Sequence, residues 1–360
     1  MKKSLFIMAL GAIALTSCSQ DEVLEVKKDA ISFATITGNA SRATTYNSTT
    51  NKVTKFKVTG LVTDATSTKA YFENLTLATA VSGVYDSGYY WPTGTMDFYA
   101  VAPEDYSITT GTLAAAASKV GDAAAKIKNV TIAADATSQA DIVYALSTGK
   151  TKPAAATPVD LNFQHALAQV DFKVKIDASV KQALKVVVKS VTVKNLQGTG
   201  DYSLPSSTTD TDTDGKGSWA ISGDLVDYKV TPATAFTINN GTGSTEVETD
   251  ATESMLLLPQ AIAASTYDSG WTAKGLFVLE ADVYSMEGGN EVLLVSEDTY
   301  IPYAIDWAEG NKYTYTFVYT ASGNGGKTDD NKDQLIPIQF TLSVDDFTPT
   351  SPAETPVSLQ

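Results

Sequence analysis

Short runs in which apolar and polar side chains alternate recur along the chain, and they restrict its fold more than any other feature. The clearest run places Phe172, Val174 and Ile176 on alternate positions, with Lys173 and Lys175 between them. Successive side chains of a strand point to opposite faces, so this spacing buries one face and leaves the other in water. Glycine, asparagine, aspartate and proline separate the runs, and long helical periodicity is scarce. The sequence therefore predicts an all-β fold of packed antiparallel sheets.

Several segments share this strand-like pattern. They are residues 30–36, 53–61, 70–77, 96–102, 127–132, 142–145, 170–176, 185–193, 255–258, 276–284, 292–301, 312–319 and 336–344. An alanine-rich stretch at 113–126 predicts a short helix, because alanine is the best helix former. Residues 148–158 are interrupted by prolines, which cannot donate to a sheet ladder. We interpret this stretch as the connector between an N-terminal sandwich, 43–155, and a C-terminal sandwich, 156–360.

The amino terminus has the layout of a bacterial lipoprotein signal. Lys2 and Lys3 precede an apolar stretch too short to span a bilayer, and the sequence Leu-Thr-Ser-Cys follows it at 15–18. Cys18 is the single cysteine, so it cannot close a disulfide within the chain. We predict a signal peptide at 1–17 and acyl chains on Cys18, which together would hold the protein durably at the outer membrane. The alternative is a chance cysteine behind an ordinary signal peptide.

Charge and residue counts exclude several classes of function. The formal net charge of −15 argues against binding of nucleic acid through a basic face. With one histidine, His165, a histidine-rich metal site is excluded by count. His165 lies between Phe163 and Leu167 without a nucleophile motif, which favours a buried, hydrogen-bonded histidine over a catalytic base. We predict neither enzyme activity nor a cofactor.

An acidic loop contains a weak calcium candidate. Asp210, Asp212 and Asp214 alternate ahead of Gly215, as carboxylates do at the start of a calcium loop. The position where that motif carries a bidentate acid is Ile221. A solvated acidic loop is therefore favoured over a metal site.

Four tryptophans and one carboxylate pair are the remaining candidates for a binding or catalytic surface. Tryptophan rings stack on sugars, but large aromatic side chains more often fill sandwich cores. Trp219 and Trp271 stay open as surface contacts, whereas Trp91 and Trp307 are expected to pack. Glu280 and Asp282 are two residues apart on a predicted strand, which merely places them on one face and is not diagnostic of a glycosidase.

Several stretches resemble, in order, the signatures of the fimbrillin family, the lipoprotein-derived subunits of type V pili in Bacteroidota. They are Ile31-Ser32-Phe33 with Ser41-Arg42-Ala43-Thr44, then Tyr89-Tyr90-Trp91-Pro92-Thr93-Gly94 with the strand at 96–103, then Asp141-Ile142-Val143-Tyr144-Ala145 with Leu161-Asn162-Phe163-Gln164-His165-Ala166-Leu167, and Ile305-Asp306-Trp307-Ala308-Glu309-Gly310-Asn311-Lys312-Tyr313-Thr314-Tyr315. Together they span most of the chain.

The resemblance implies two tandem transthyretin-like antiparallel β-sandwich domains that reach the cell surface as a lipoprotein and polymerise by strand exchange. It also implies cleavage after an arginine, which here is Arg42, the single arginine, with Ala43 as the new amino terminus. The detached pro-segment is then 18–42 with the first strand. Judged from the residues alone, Arg42 is an ordinary loop cation in a small polar stretch.

The donor strand implied by the resemblance is the segment 336–344. Its apolar side chains share one face, and Pro337 suits an edge or inserted strand better than a central one. These side chains are Ile336, Ile338, Phe340, Leu342 and Val344. The alternative, equally supported by the residues, is that this segment is the last strand of its own subunit.

The predicted function is thus a structural or adhesive subunit of a surface pilus. Its predicted partners are other pilus subunits, the outer membrane through the lipid, and a ligand on a host or bacterial surface. Stalk, tip and anchor roles stay open. The alternative, from another class, is a glycan-binding lipoprotein that remains attached through Cys18 and does not polymerise.

Overall fold

The computed structural model describes residues 29–37, 52–65, 67–110, 125–205, 216–232, 236–241, 247–250, 254–271, 275–322, 325–346 and 355–356. Short alternating runs fold into strands throughout these ranges. The first nine strands are β1 Ala30–Thr37, β2 Phe56–Thr63, β3 Thr68–Leu77, β4 Val84–Tyr90, β5 Thr95–Ala102, β6 Ile108–Thr109, β7 Lys126–Thr131, β8 Val143–Lys150 and β9 Val159–His165.

The second part of the chain is also made of strands. They are β10 Ala168–Ile176, β11 Leu184–Ser203, β12 Ser218–Val230, β13 Phe236–Asn239, β14 Val247–Asp250, β15 Met255–Leu257, β16 Ala261–Ile262, β17 Leu276–Ser285, β18 Val292–Val295, β19 Thr299–Pro302, β20 Ile305–Asp306, β21 Asn311–Tyr319, β22 Ile338–Asp346 and β23 Thr355–Pro356. Within the described ranges the helical segments are two single 3₁₀ turns, Ala136–Ser138 and Glu287–Gly289.

The first sandwich is built from one seven-stranded sheet in the order β3-β2-β5-β8-β9-β1-β4. The sheet encloses a core of its own, into which β1, β2, β5 and β9 each send buried aromatic side chains. Phe33, Phe56, Phe98 and Phe163 are all at most 2% exposed. Burial of rings of this size supplies much of the stability of a small sandwich.

The second sandwich pairs two sheets. One has six strands along the path β14-β10-β21-β22-β23, with β15 also on β10, and the other has eight strands centred on β11 and β17. Their inward faces meet in the larger core, where Phe172 stacks on Phe317 with ring centroids 5.8 Å apart. The alternation of Phe172, Val174 and Ile176 thus places all three side chains in this core, as the sequence predicts.

Both sandwiches contain one parallel pair in a setting that is otherwise antiparallel. In the first, β1 runs parallel to β9, and in the second β10 runs parallel to β21. On its other edge, β1 pairs antiparallel with β4. In the same way β10 pairs antiparallel with β14 and β15. The predicted all-β fold of packed sheets is confirmed.

Two strands pair across the predicted boundary at 155/156. β9 follows the boundary but lies in the sheet of β1 and β8, and β7 precedes the boundary but pairs with β11. Tyr99 and Tyr144 of the first sheet also point into the larger core. Hydrogen-bond partners, rather than the proline-containing stretch, therefore decide which sandwich a strand joins.

The predicted helix at 113–126 falls mainly on residues outside the described ranges, and β7 begins at Lys126. None of the described helices has the length and apolar composition needed to cross a bilayer.

Candidate functional site

The first strand lies in a slot between two strands that come later in the chain. β1 pairs antiparallel with β4, where Phe33 faces Tyr85, and parallel with β9, where Phe33 faces Val159. Because β1 is hydrogen bonded on both edges, it is an internal strand of the sheet. Its removal would open both ladders at once.

The inward face of β1 is fully buried at its centre. Ile31 and Phe33 have no exposed surface, and the Phe33 ring meets Phe98 edge to face at a centroid distance of 5.1 Å. The neighbouring strand β9 supplies Val159, Leu161 and Phe163, which are buried beside positions 33, 35 and 37. The inward side of β9 therefore lines the slot with apolar side chains.

Polar contacts fix the ends of the strand. Ser87 donates its hydroxyl to the Ile31 carbonyl at 2.6 Å, and the Trp91 backbone N–H donates to the Asp29 carbonyl at 2.9 Å. Asp29 also forms an ion pair with Lys152 at 2.6 Å. Thr35 donates its hydroxyl to the Val53 carbonyl at 3.2 Å.

The predicted processing and lipidation residues cannot be placed beside this slot. Cys18, Arg42 and Ala43 all lie outside the described residues, as do the calcium candidates Asp210, Asp212 and Asp214. Among the described residues, no group of three or more histidine, cysteine or acidic side chains is arranged to hold a metal ion.

The candidate donor segment forms β22, which pairs antiparallel with β21 along its whole length, from Asn311 opposite Asp346 to Tyr319 opposite Ile338. In the described structure it is thus the last long strand of its own sandwich. On its other edge, as far as the described residues show, β22 pairs only with β23, at Thr341 and Leu342. It is therefore nearly an edge strand, the position from which strands are most readily shared between chains.

The apolar face of the donor segment is covered unevenly. Ile338 and Phe340 are 1% exposed, and the Phe340 ring packs edge to face on Tyr303 at 4.6 Å. Ile336 and Leu342 are half-buried, while Val344 is 48% exposed. Three of these five side chains consequently keep apolar surface in water.

The connection before β22 is held by backbone hydrogen bonds. Tyr300 and Lys327 exchange N–H to carbonyl bonds of 2.8 Å, and the Gln334 N–H donates to the Gly326 carbonyl at 3.3 Å. The Trp271 indole N–H donates to the Thr328 carbonyl at 3.3 Å. Release of β22 would first require this loop to detach.

A buried carboxylate links the two sandwiches, and the sequence did not mark it. Oε1 of Glu309 accepts hydrogen bonds from the hydroxyls of Tyr202 and Tyr144, at 3.0 and 3.2 Å, and from the Gly217 N–H at 2.9 Å. Burial raises the pKa of Glu309, although these three donors oppose the rise. Tyr144 belongs to β8 and Tyr202 to β11, so this network connects both sheets.

His165 and Asp141 form a buried hydrogen-bonded pair. The distance from Nδ1 to the nearer carboxylate oxygen is 2.9 Å, and the side chains are 6% and 1% exposed. This matches the expected structural histidine. Both residues stand in the quoted motif around 141–167, but their separation in sequence gave no sign of the contact.

Each of the four tryptophan side chains is held by a hydrogen bond or a ring contact within the protein. Trp307 is buried and donates to the Tyr315 hydroxyl at 2.9 Å, and Trp91 packs edge to face on Phe98 at 5.9 Å. Trp219 is half-buried and donates to the Ala166 carbonyl at 2.7 Å. Trp271 is half-buried and stacks on Tyr300 at 5.9 Å.

Glu280 and Asp282 contact different partners at the surface. Glu280 accepts from Ser190 at 2.9 Å, and Asp282 forms an ion pair with Lys189 at 2.7 Å. These partners lower the pKa of both carboxyl groups, which leaves neither as a proton donor near neutral pH.

Comparison with known proteins supplies one strong match. The model of the fimbrillin-like family matches residues 41–337. A crystal structure of a fimbrial protein from Bacteroides vulgatus is similar, with a TM-score of 0.55, 15% identity and coverage of 88% of this chain and 99% of that chain. The fimbrial anchor protein Mfa2 from Porphyromonas gingivalis also aligns, with a TM-score of 0.31, 11% identity and coverage of 89% and 98%. No curated protein sequence matches the chain.

Proposed function

The chain belongs to the fimbrillin-like family, and we propose that it is a pilus subunit which polymerises by exchanging its first strand for a strand of a second copy. As a fimbrillin-like protein it is a structural adhesion protein and not an enzyme. The single observation that carries the proposal is the position of β1, a buried internal strand with apolar neighbours on both sides.

The proposed route begins with export as a lipoprotein. Acylation of Cys18 brings the protein to the outer membrane with its two sandwiches on the exterior. An arginine-specific protease then cuts after Arg42, so that Ala43 becomes the amino terminus. Since β1 precedes this site, one cut separates both the lipid anchor and β1 from the rest of the chain.

The vacated slot matches the donor segment in register. Reading both strands in the same direction, Ile338 and Phe340 of a second copy take the places of Ile31 and Phe33, because both strands carry Ile-x-Phe. Leu342 then stands beside Leu161, and Val344 beside Phe163, the β9 residues that now face Thr35 and Thr37. Cross-strand apolar pairs of this kind stabilise a sheet.

The donor segment fills the slot better than β1 does. The stripe of β1 continues from Ile31 and Phe33 to threonine at 35 and 37, whereas the donor has Leu342 and Val344 there. These two side chains retain exposed surface at home, so covering them contributes on the order of 1 kcal/mol each.

The two sites also differ in hydrogen bonding. Within its own subunit β22 forms one full hydrogen-bond ladder, with β21. A strand in the slot forms two ladders, one with β4 and one with β9. Because the slot is occupied until β1 leaves, cleavage is required before the exchange becomes favourable. A precursor whose slot is occupied would therefore stay monomeric during export.

Cleavage is tested by sequencing the amino terminus of the surface-purified protein. Fibres should begin at Ala43, and Arg42→Ala should leave a lipidated monomer. Arg42→Lys is the matched control, since it keeps the charge but not the arginine side chain, and it should also block fibre formation. Fibres whose subunits begin at Cys18 would contradict the proposal.

One cluster favours the second candidate, a glycan-binding lipoprotein. Tyr267, which is 36% exposed, meets Trp271 edge to face at 5.2 Å, and Trp271 stacks on Tyr300. Exposed aromatic rings bind sugar faces. Persistent lipidation together with binding to immobilised polysaccharide, lost in Tyr267→Ala, would support this function instead.

A further inference from the structure

Four aromatic residues stand where β3 meets the end of β4, and we call them the aromatic mouth: Tyr71, Tyr89, Tyr90 and Trp91. Tyr89 is 38% and Tyr90 48% exposed, while the other two are half-buried. The Tyr89 ring lies 5.7 Å from that of Tyr71, whose hydroxyl donates to the Tyr90 carbonyl at 2.9 Å. The cluster is therefore held in place while two of its rings face water.

The aromatic mouth frames the end of the slot at which β1 begins. Tyr90 pairs with Ala30, and the Trp91 N–H donates to the Asp29 carbonyl. At this point β1 presents a charged side chain, Asp29, which is bound to Lys152. The subunit's own chain thus has an acidic residue at the end of the slot that these aromatic residues frame.

A stretch of exposed apolar residues lies directly ahead of the donor strand. Leu335 is 70% exposed, the largest exposed fraction among the large apolar side chains of the described residues, and half-buried Ile336 and Pro337 follow it. An exposed leucine beside further apolar residues indicates a surface that is covered in another state.

We propose that the aromatic mouth is the docking surface for Leu335, Ile336 and Pro337 of a second copy of this chain. The inference rests on the proposed strand exchange and extends its register. With Ile338 at the site of Ile31, Ile336 takes the place of Asp29, and Leu335 the place just before it. Aliphatic and proline side chains pack well on aromatic faces, as in other recognition grooves.

The register also fixes the charge at this end of the slot. Departure of β1 removes Asp29, and Ile336 takes its place, so this end loses a carboxylate and gains an apolar side chain. Lys152 is 47% exposed and keeps its contact with water. Asp333 falls three residues before the place of Asp29, so the part of the segment that meets the aromatic residues is apolar.

The test compares two synthetic peptides on the full chain cut after Arg42. One peptide spans 338–346, and the other spans 335–346 and so adds residues 335–337. Their dissociation constants are measured by titration calorimetry or by displacement of the 18–42 segment. We expect the longer peptide to bind at least tenfold more tightly, which corresponds to about 1.4 kcal/mol.

Two variants test whether the tighter binding of the longer peptide depends on the aromatic mouth. Tyr90→Ala should abolish the advantage of the longer peptide without changing the affinity of the shorter one. Leu225→Ala, at a similarly exposed side chain of the second sandwich, should leave both affinities unchanged. If both peptides bind equally well, docking at the mouth is overturned while strand exchange stands. If neither peptide binds, both proposals fail.

Discussion

Phe33 and Phe98 meet edge to face within the first sandwich, with ring centroids 5.1 Å apart and ring planes at 83°. Phe33 lies on β1, which we propose leaves the subunit, whereas Phe98 lies on β5, which stays. A vacated slot would therefore expose the Phe98 ring together with Val159 and Leu161 of β9. Open apolar surface of this kind favours capture of a replacement strand.

Truncation of the buried ring should weaken the precursor strongly. Phe33→Ala is expected to lower the free energy of unfolding by about 3–5 kcal/mol, because it leaves a cavity against Phe98. Urea unfolding of the uncut chain measures the change. Tyr90→Ala on the adjacent strand removes an exposed ring and should alter stability by less than about 1 kcal/mol. Equal losses in the two variants would argue against a buried β1.

Substitution of Val344 should separate folding from polymerisation. Val344 is half-exposed at home, so Val344→Ser should change the stability of the monomer by no more than about 0.5 kcal/mol. In the slot the same side chain would lie beside Phe163, and its loss should slow fibre growth. Fibre growth is measured by light scattering, and the fibres are imaged by electron microscopy.

Two further variants of β22 serve as controls for Val344. Gln339→Ser alters an exposed side chain on the opposite face and should leave the stability of the monomer unchanged. Phe340→Ala removes a fully buried ring and should destabilise the monomer itself by about 3–5 kcal/mol. Normal fibre growth by Val344→Ser would contradict the proposed register.

Glu309 should make stability depend on pH. Burial raises the pKa of Glu309 in the folded protein, so above the ordinary glutamate pKa the unfolded chain binds fewer protons than the folded one. This contribution to stability therefore falls as pH rises from the ordinary value through the raised one. Glu309→Gln keeps an acceptor oxygen for Tyr144 and Tyr202 but cannot ionise.

The measurement is urea unfolding of parent and Glu309→Gln between pH 4 and 8. The variant should gain stability relative to the parent as pH rises through that window, and the difference should be constant at the acidic end. Glu73→Gln, at an exposed carboxylate, should run parallel to the parent throughout. A constant difference for Glu309→Gln across the whole range would refute the assignment.

The pair of His165 and Asp141 should act as one unit in stability. Removal of one partner of a buried hydrogen bond leaves the other unsatisfied, so Asp141→Ala and His165→Ala should each cost about 1–3 kcal/mol. The double variant should cost less than the sum, by about 0.5–3 kcal/mol. Asp160→Ala, at an exposed carboxylate on β9, is the control and should be nearly neutral. Strict additivity would show that the pair is not coupled.

Strict alternation predicted several strands almost to the residue. The segments 170–176, 276–284 and 312–319 match β10, β17 and β21 within two residues at each end. Two strands escaped this reasoning, because a glycine interrupts the apolar pattern of each. β4 contains Gly88 with φ 73°, and β12 contains Gly223 with φ 88°. The predicted strand 292–301 is two strands, β18 and β19, separated by polar residues at 296–298.

The motifs were also sufficient for the family, since a match over residues 41–337 confirms the resemblance. They could not reveal the contacts of Glu309, because its partners Tyr144 and Tyr202 lie more than a hundred residues away in sequence. No local spacing encodes such a separation.

The sequence by itself determined that this chain forms sheets, that apolar faces alternate with polar ones, and that its signatures are those of fimbrillins. Only the tertiary structure decided that β1 enters between β4 and β9, that β22 closes its own sandwich against β21, and that Leu335 stays exposed. The reason is physical. Alternation depends on near neighbours along one strand, whereas pairing and register depend on which distant edges can satisfy each other's hydrogen bonds and bury each other's side chains.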